Sequence, residues 1–433
     1  NIDQYVILRN YDDLPRSANG SDIDMLLPEG TRESCEAALL DALQYVGGVI
    51  LGKATTTGFS KVVVMGMGSD GVWWGVRLDL SFGLKFRGAV PLVADEHLLS
   101  VATSHNGLRV LPLDIADLIG VLKHILNHDD VPQRYLAGAV RAARRENGEL
   151  DKVFGPMGQA NYARFSKLCE PKTWLNSDLA TLKVRSLRRA LLGKAFLGNP
   201  SRYIFKRLHF FASKIRRIVR PPGFTVSVLG TDGAGKSTVI EAIRPVLEEA
   251  THSKLYVRHL RPGLFPPLGS LKSSRNASCS APVIDPHGAP AAGAVGSLVR
   301  LAWVWADYVL GHWFVVRPRI AKSPVVFLFD RYADDLALDP RRFRLGVFLG
   351  LASLIPRLVP RPDVTIALYA DPEIIHKRKP ELPLREVERQ VAALKAWAST
   401  RPEAVLVCTD GTIEDARDAA LQAIMAEAAR RNK

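Results

Sequence analysis

Apolar positions along the chain follow two rhythms, and the change between them divides the sequence. After residue 222, short β-branched runs recur at Phe224 to Leu229, Leu255 to Leu260, Val325 to Phe329, Val364 to Tyr369 and Ala404 to Cys408, with helical lengths between them. Such runs predict a parallel sheet with helices on both faces, because each strand is then buried on both sides. The first hundred residues read differently. A strand-like Tyr5-Val-Ile-Leu8 precedes Ser21-Asp-Ile-Asp-Met-Leu-Leu27, a helical stretch from Thr31 to Tyr45, and strand patterns at 48–52, 61–67 and 72–82. From Asp114 to about Asn176 the spacing is helical, with Leu118, Leu122 and Ile125, then Tyr162, Phe165 and Leu168. His124 and His128 stand four apart on that stretch without an acidic third ligand, so surface or core histidines are expected rather than a metal site.

The expected fold class is α/β: an N-terminal α+β domain at 1–112, a helical connector at 113–182, a basic amphipathic linker helix at 183–221, and a C-terminal parallel-sheet domain at 222–433. Arg220-Pro-Pro-Gly223 sets the last boundary, since consecutive prolines stop a helix. Phe265 to Ser297, rich in Pro, Gly, Ser and Ala, reads as a lid or a disordered loop.

Composition sharpens this picture in two places. With 433 residues, 47% hydrophobic and 24% charged, the chain belongs to folded soluble proteins of two or three domains. Cys35, Cys169, Cys279 and Cys408 show neither paired nor metal-type spacing, which argues against disulfides and zinc and fits a reducing, cytoplasmic setting. The chain opens without a signal-peptide pattern and within an apolar run, so a short preceding piece is expected. The most apolar runs, Leu298 to Val316 and Leu345 to Ile355, carry Arg300 and Asp307 or are too short to span a bilayer. The net charge of +14 is concentrated between Lys183 and Arg220, where twelve Lys/Arg meet no acid. There, Ile204, Leu208, Phe211, Ile215 and Ile218 recur at helical spacing. Such a helix suits peripheral contact with an anionic membrane, or nucleic acid, or packing between domains.

The strongest chemical signal is Gly230-Thr-Asp-Gly-Ala-Gly-Lys-Ser237, placed between an apolar strand and a helix beginning Thr238-Val239-Ile240. This is the context of a Walker A loop, whose backbone N–H groups and helix N-terminus gather around phosphate. Gly230, Asp232, Gly233, Ala234, Gly235, Lys236, Ser237 and Thr238 are the expected nucleotide-binding residues, Lys236 for the β/γ-phosphates and Ser237 for Mg²⁺. The strand ending at Phe329 leads into Asp330-Arg331-Tyr332, and Asp330 stands where a second Mg²⁺ ligand belongs. In the first domain, Asp22 and Asp24 share one strand face and Asp79 follows on another strand. Three converging carboxylates are what two Mg²⁺ ions require to clamp a phosphoryl transfer.

Ser21-Asp-Ile-Asp-Met-Leu-Leu27 with Asp79 resembles the minimal nucleotidyltransferases of the DNA polymerase β superfamily. That family carries a Gly-Ser pair about ten residues earlier to hold triphosphate; here stand Arg9-Asn10-Tyr11. Triphosphate is then expected to be held by Arg9 or by a partner domain. The loop at 230–237 with Asp330-Arg331-Tyr332 resembles the thymidylate kinase family, over roughly Pro222 to the C-terminus. The resemblance implies ATP and Mg²⁺ as cofactors, phosphate contact by Arg331, and Asp232 near the acceptor. It also implies a lid cation drawn from Lys377, Arg378 and Lys379, of which Arg378 is the choice here, and a homodimer. Val364 to Pro372 and Thr409 to Asp415 match the strand before the family's lid and its base-side turn. On the acceptor side, the family's Arg-Glu-Pro-Gly-Gly-Thr is replaced by Arg258-His-Leu-Arg-Pro-Gly-Leu264. Arg258, Arg261 and Arg300 are the expected acceptor contacts, and the acceptor is expected not to be dTMP.

The two halves together resemble thymidylate kinase-like proteins of bacterial surface-polysaccharide gene clusters, which implies a small-molecule or glycan-precursor acceptor. A kinase joined to nucleotidyl transfer is one reading. Nucleic-acid end processing, and an NTP-binding regulator with an inactive transferase fold, are the others.

Overall fold

The computed structural model of the chain describes residues 4–18, 21–128, 137–138, 140–141, 148–170, 173, 177–252, 255–266, 293–339 and 347–432. It divides into two compact units that meet in sequence between Val219 and Arg220, with the short segments Val49–Gly52 and Trp73–Gly75 counted with the second.

The first unit is built on a seven-stranded sheet. Its strands are β1 (Val6–Arg9), β2 (Ile23–Leu27), β3 (Gly48–Thr56), β4 (Phe59–Met67), β5 (Trp73–Phe82), β8 (Thr103–His105) and β9 (Leu108–Val110), ordered β3-β4-β5-β2-β1-β9-β8. Two short strands, β6 (Lys85–Phe86) and β7 (Val90–Pro91), pair separately. Side chains alternate across the sheet as a period of two demands. Val6 and Leu8 of β1 enter a large core with Leu118, Leu122 and Ile125 of the helix Leu113–Asn127, whereas Ile7 joins Tyr11, Leu14 and Val110 in a smaller one. Asp24 stands two residues from Leu26 and so shares its face, on the large-core side. The parallel pairing of β2 with β5 sets Asp24 opposite Asp79, and the antiparallel pairing of β1 with β2 sets Arg9 opposite Asp24 after an irregularity at Ile7/Arg9. Irregularities of this kind re-aim one side chain without disturbing the rest of the ladder.

The basic segment forms two helices, Ser177–Gly198 and Pro200–Val219, instead of the single linker helix its charge suggests. The break has a local cause. Asn199 accepts the Arg202 N–H at 3.0 Å as an N-cap, and Pro200 occupies the first helical position. Val184, Leu187 and Leu191 of the first helix are buried in the core, so this helix belongs to the body of the unit.

In the second unit, β10 (Phe224–Gly230), β11 (Leu255–His259), β12 (Val326–Asp330), β13 (Val364–Tyr369) and β14 (Ala404–Cys408) form a wholly parallel sheet ordered β11-β12-β10-β13-β14. All seven residues of β10 are buried, as a central strand covered on both faces requires, and its two hydroxyls are paired, Thr225 with Asp363 and Ser227 with Thr365. Phe327 and Phe329 pack beneath Leu301 and Tyr308 of the helix Ala294–Gly311 and beneath Leu394 of the helix Leu384–Ser399. The last residues of the proposed loop, Ala294 to Ser297, are helical, and 267–292 lie outside the described residues. No helix among the described residues is long and apolar enough to cross a membrane.

Leu118 is fully buried in the first unit's core. Leu118→Ala should cost about 2–5 kcal/mol through lost transfer energy and the cavity left behind. The check is a lower urea midpoint for that unit with an unchanged slope.

Candidate functional site

The parallel register places Val228 of β10 beside Asp330 of β12, and the Arg331 N–H donates to the Val228 carbonyl at 2.9 Å. The order of the strands reverses around β10, so the loops leaving β10 and β12 splay apart and open a crevice at the carboxyl edge of the sheet. The chain turns there between Gly230 and Lys236, then enters the helix Lys236–Thr251. Gly233 has φ +89°, and a Cβ on it would lie 3.0 Å from the Ile375 carbonyl oxygen. Gly235, the N-cap, has φ +82°. Both need a residue without a side chain.

The crevice holds about 610 Å³ and is lined by Asp232, Gly233, Gly235, Lys236, Ser237 and Thr238 from the turn, and by Asp330 and Arg331 from β12. His259, Arg378, Lys379 and the stretch Thr409 to Ala416 complete the wall. Lys236 is buried, with Nζ donating to the carbonyls of Gly230 at 2.9 Å and Thr231 at 2.7 Å. Burial first, and then the charge of Arg331, push its pKa down to about 8. Arg331 is buried as well; it pairs with Asp232 and, at 2.7 Å, with Asp335. Burial works against its charge, but the two carboxylates outweigh that cost and raise its pKa. Its φ of +74° is uncommon for a residue with a side chain and is held by this packing.

Asp330 accepts from the ring of His259, with Nδ1 to Oδ2 at 3.0 Å. Burial raises the Asp330 pKa, yet His259, Lys236 and Arg331 together hold it below the usual carboxylate value. The second oxygen, Oδ1, is buried without a hydrogen-bond partner. A lone buried carboxylate oxygen in a crevice that Ser237 also lines suits a hard divalent cation such as Mg²⁺. Convergent N–H groups, two buried cations and this oxygen pair can bind a polyphosphate and neutralise charge on it.

The first unit carries a separate cavity of about 870 Å³. Asp22, Asp24 and Asp79 meet in it, with ligand oxygens all within 4.8 Å of one another. Every one of them already faces a cation. Arg9 pairs with Asp24 and lies 3.7 Å from Asp22; Arg77 lies 2.5 Å from Asp22; Lys61 lies 3.2 Å from Asp79; Lys123 lies 3.4 Å from Asp24. Asp79 Oδ1, 3.3 Å from Arg77 Nε, lacks a hydrogen bond of good geometry. Asn10, with φ +58°, donates from its side chain to the Asp22 carbonyl at 3.3 Å, and the Tyr11 hydroxyl donates to the Leu111 carbonyl at 2.7 Å. Lys85, Arg87, Arg207 and Lys214 bring the cations lining this cavity to eight among the described residues, against three carboxylates, a balance that favours an anion.

Of the remaining residues, Gly230 supplies a carbonyl to Lys236, and the buried Ala234 accepts the Thr409 hydroxyl at 3.1 Å, so β14 supports the turn from below. Arg378 ends the helix Pro372–Arg378 and donates to the Thr409 carbonyl at 2.9 Å, at the crevice wall. The three acceptor-side arginines are not brought there. Arg258 is exposed on β11, Arg300 is half-buried on the helix Ala294–Gly311, and neither lines the crevice. Arg261 lies 3.2 Å from the fully buried Asp307, whose other oxygen accepts the N–H groups of Leu264 and Phe265. Sequence reasoning missed His259 and Asp335. Asp335 follows Arg331 by four residues, a spacing that can be read; His259 meets Asp330 only once β11 and β12 are known to be neighbours. His124 and His128 stack with ring centroids 4.6 Å apart and line the aspartate cavity.

Comparison with known proteins gives a fold-level likeness only. No protein-family profile matches the chain, and no curated protein matches it by sequence. Among solved structures, a thymidylate kinase from Ehrlichia chaffeensis is 16% identical with a TM-score of 0.32, covering 47% of this chain and 99% of its own. A thymidylate kinase from Candida albicans is 18% identical with a TM-score of 0.34, covering 49% of this chain and 94% of its own.

The perturbed lysine yields a pH signature. Lys236 loses its proton near pH 8 when folded, against 10.5 for an unperturbed lysine. Its burial therefore lowers stability below pH 8, and that penalty is relieved as pH rises between the two values. A polyphosphate bound through this lysine would run the opposite way, because it would use the ammonium. Calorimetry should show ATP affinity falling by up to about tenfold per pH unit above pH 8, with proton uptake on binding. Lys236→Met should bind weakly and lose that slope.

Proposed function

We propose that the chain is a P-loop phosphotransferase that moves the γ-phosphoryl group of ATP to a small hydroxyl- or phosphate-bearing acceptor other than dTMP. The observation that carries this reading is that Lys236, Ser237, Asp330 and Arg331 share one crevice at the carboxyl edge of a parallel sheet. An acceptor oxygen attacks the γ-phosphorus, the bond to the β–γ bridging oxygen breaks, and ADP departs with that electron pair. A hydroxyl acceptor gives up its proton to solvent or to Asp232, a carboxylate of the same crevice. Lys236 and Arg331 exchange their protein oxygens for phosphate oxygens and stabilise charge on the transferring group. Ser237 and Asp330 would hold Mg²⁺, which supplies charge neutralisation at the β- and γ-phosphates. The loss of the Arg-Glu-Pro-Gly-Gly-Thr pattern and the tie between Arg261 and Asp307 support an acceptor unlike dTMP. The resemblance to two-domain proteins of surface-polysaccharide clusters supports an activated-sugar or glycan precursor.

The first unit favours a second activity in the same chain, nucleotidyl transfer onto the phosphorylated product. What supports it is the aspartate triad in a cavity whose described lining is positive on balance, since the negative charge of a nucleoside triphosphate offsets the cations that the three carboxylates leave unmet. Asp22, Asp24 and Asp79 would hold Mg²⁺ there; the poorly matched Asp79 Oδ1 is compatible with that role.

Labelled ATP and CTP screened against sugars, sugar phosphates, dTMP and oligonucleotides separate γ-phosphate transfer from nucleotide transfer. Lys236→Ala should lower γ-phosphate transfer by about a hundredfold or more with an unchanged circular dichroism spectrum. Undiminished transfer, or dTMP as the preferred acceptor, overturns the assignment. Asp22→Asn with Asp24→Asn should abolish nucleotide transfer and any Mg²⁺-dependent rise in the first unit's Tm, and should spare γ-phosphate transfer. Nucleotide transfer that survives both changes removes the triad from the chemistry.

A further inference from the structure

The helix Pro200–Val219 is mounted in an unusual sense. Its half-buried residues are Tyr203, Lys206, Arg207, Phe210, Ser213 and Arg217, a stripe at three- and four-residue spacing. His209 meets the Thr57 hydroxyl at 3.0 Å, and Arg207, Phe210 and Lys214 line the aspartate cavity. The aliphatic stripe points elsewhere: Ile204 is 48% exposed, Leu208 64% and Ile215 63%. Phe205 at 71% adjoins it, and no residue of the helix is buried. An amphipathic helix normally hides its apolar side; this one leaves its aliphatic row exposed.

We propose that this stripe docks the protein on an anionic lipid surface, lying in the plane of the headgroups. Charge decides among the occupants. Between Lys183 and Arg220 there are twelve Lys/Arg and no acid. A second copy pairing about this helix would set like charges against each other, because a two-fold interface repeats the same patch on both sides. Nucleic acid engages cations rather than an aliphatic row, since its affinity comes from phosphate contacts. Anionic lipid matches both features at once: acyl chains take Ile204, Leu208 and Ile215, and headgroup phosphates take exposed cations such as Arg202 and Arg216. At 20 residues the helix is about 30 Å long, enough to lie along such a surface.

The test is cosedimentation of the full chain with vesicles of phosphatidylcholine alone or mixed with phosphatidylglycerol, across a salt series. Binding is expected on the mixed vesicles, weaker at high salt and weakest on the neutral ones. Ile204→Ser with Leu208→Ser and Ile215→Ser should reduce partitioning about tenfold or more, and Arg202→Glu with Arg216→Glu should do the same. Both variants should keep the wild-type circular dichroism spectrum and ATP binding, since none of the five residues lines the P-loop crevice. Wild-type partitioning by the serine variant overturns the proposal. So does tight oligonucleotide binding by a protein that ignores vesicles, and so does a dimer that the serine substitutions dissociate.

Discussion

The second unit is arranged around two positive charges that it cannot leave in water. Lys236 and Arg331 are both buried, and each is held by oxygen atoms the fold delivers from a different direction. Carbonyls of the turn reach Lys236, while Asp232 and Asp335 reach Arg331 from two separate segments. Breaking such a set by removing one partner leaves an uncompensated charge, which costs far more than the pair contributes. The turn, the strand end at Asp330 and the short helix at Asp335 are therefore constrained together. The left-handed backbone of Arg331 is tolerable because so many contacts determine it.

The first unit meets the mirror problem. Three carboxylates crowd within one site, and Arg9, Lys61, Arg77 and Lys123 offset their repulsion. Three of those cations, Arg9, Lys61 and Arg77, come from strands of the same sheet as the acids, and Lys123 comes from the helix Leu113–Asn127. The arrangement leaves the surrounding cavity positive even though its floor is acidic. A site of mixed sign can accept an anion and a metal ion together, each easing the entry of the other.

What could be read from the sequence was local. The five parallel strands fell within a residue or two of their apolar runs because the central ones, β12, β10 and β13, are buried almost throughout, and the more exposed edge strands β11 and β14 still carry short apolar runs. The strand, turn and helix around Gly230 to Lys236 were visible because the turn needs glycine where φ is positive. Asp24 and Asp79 could be placed on strands, whereas Asp22 lies one residue before β2; the direct opposition of Asp24 and Asp79 required the parallel pairing of β2 with β5. Strand order and long-range charge pairing could not be read. Arg258, Arg261 and Arg300 were chosen for charge and position, and charge alone does not say whether a guanidinium faces a crevice, solvent or a buried acid. The split of the basic segment at Asn199 lay in a local Asn-Pro signal that its uniform charge obscured.

The tie between Arg261 and Asp307 bears on how such a protein can diverge. Asp307 is fully enclosed, one of its oxygens accepts two backbone N–H groups, and the other, among the described residues, is paired with the Arg261 guanidinium. Neither residue can drift alone: loss of the arginine strands a buried anion, and loss of the acid frees a loop and strands a cation. Descendants of this chain should keep both or exchange both in concert, as a covarying pair. New acceptor preferences must then arise from side chains around this knot, which makes it a fixed point against which substrate range can evolve.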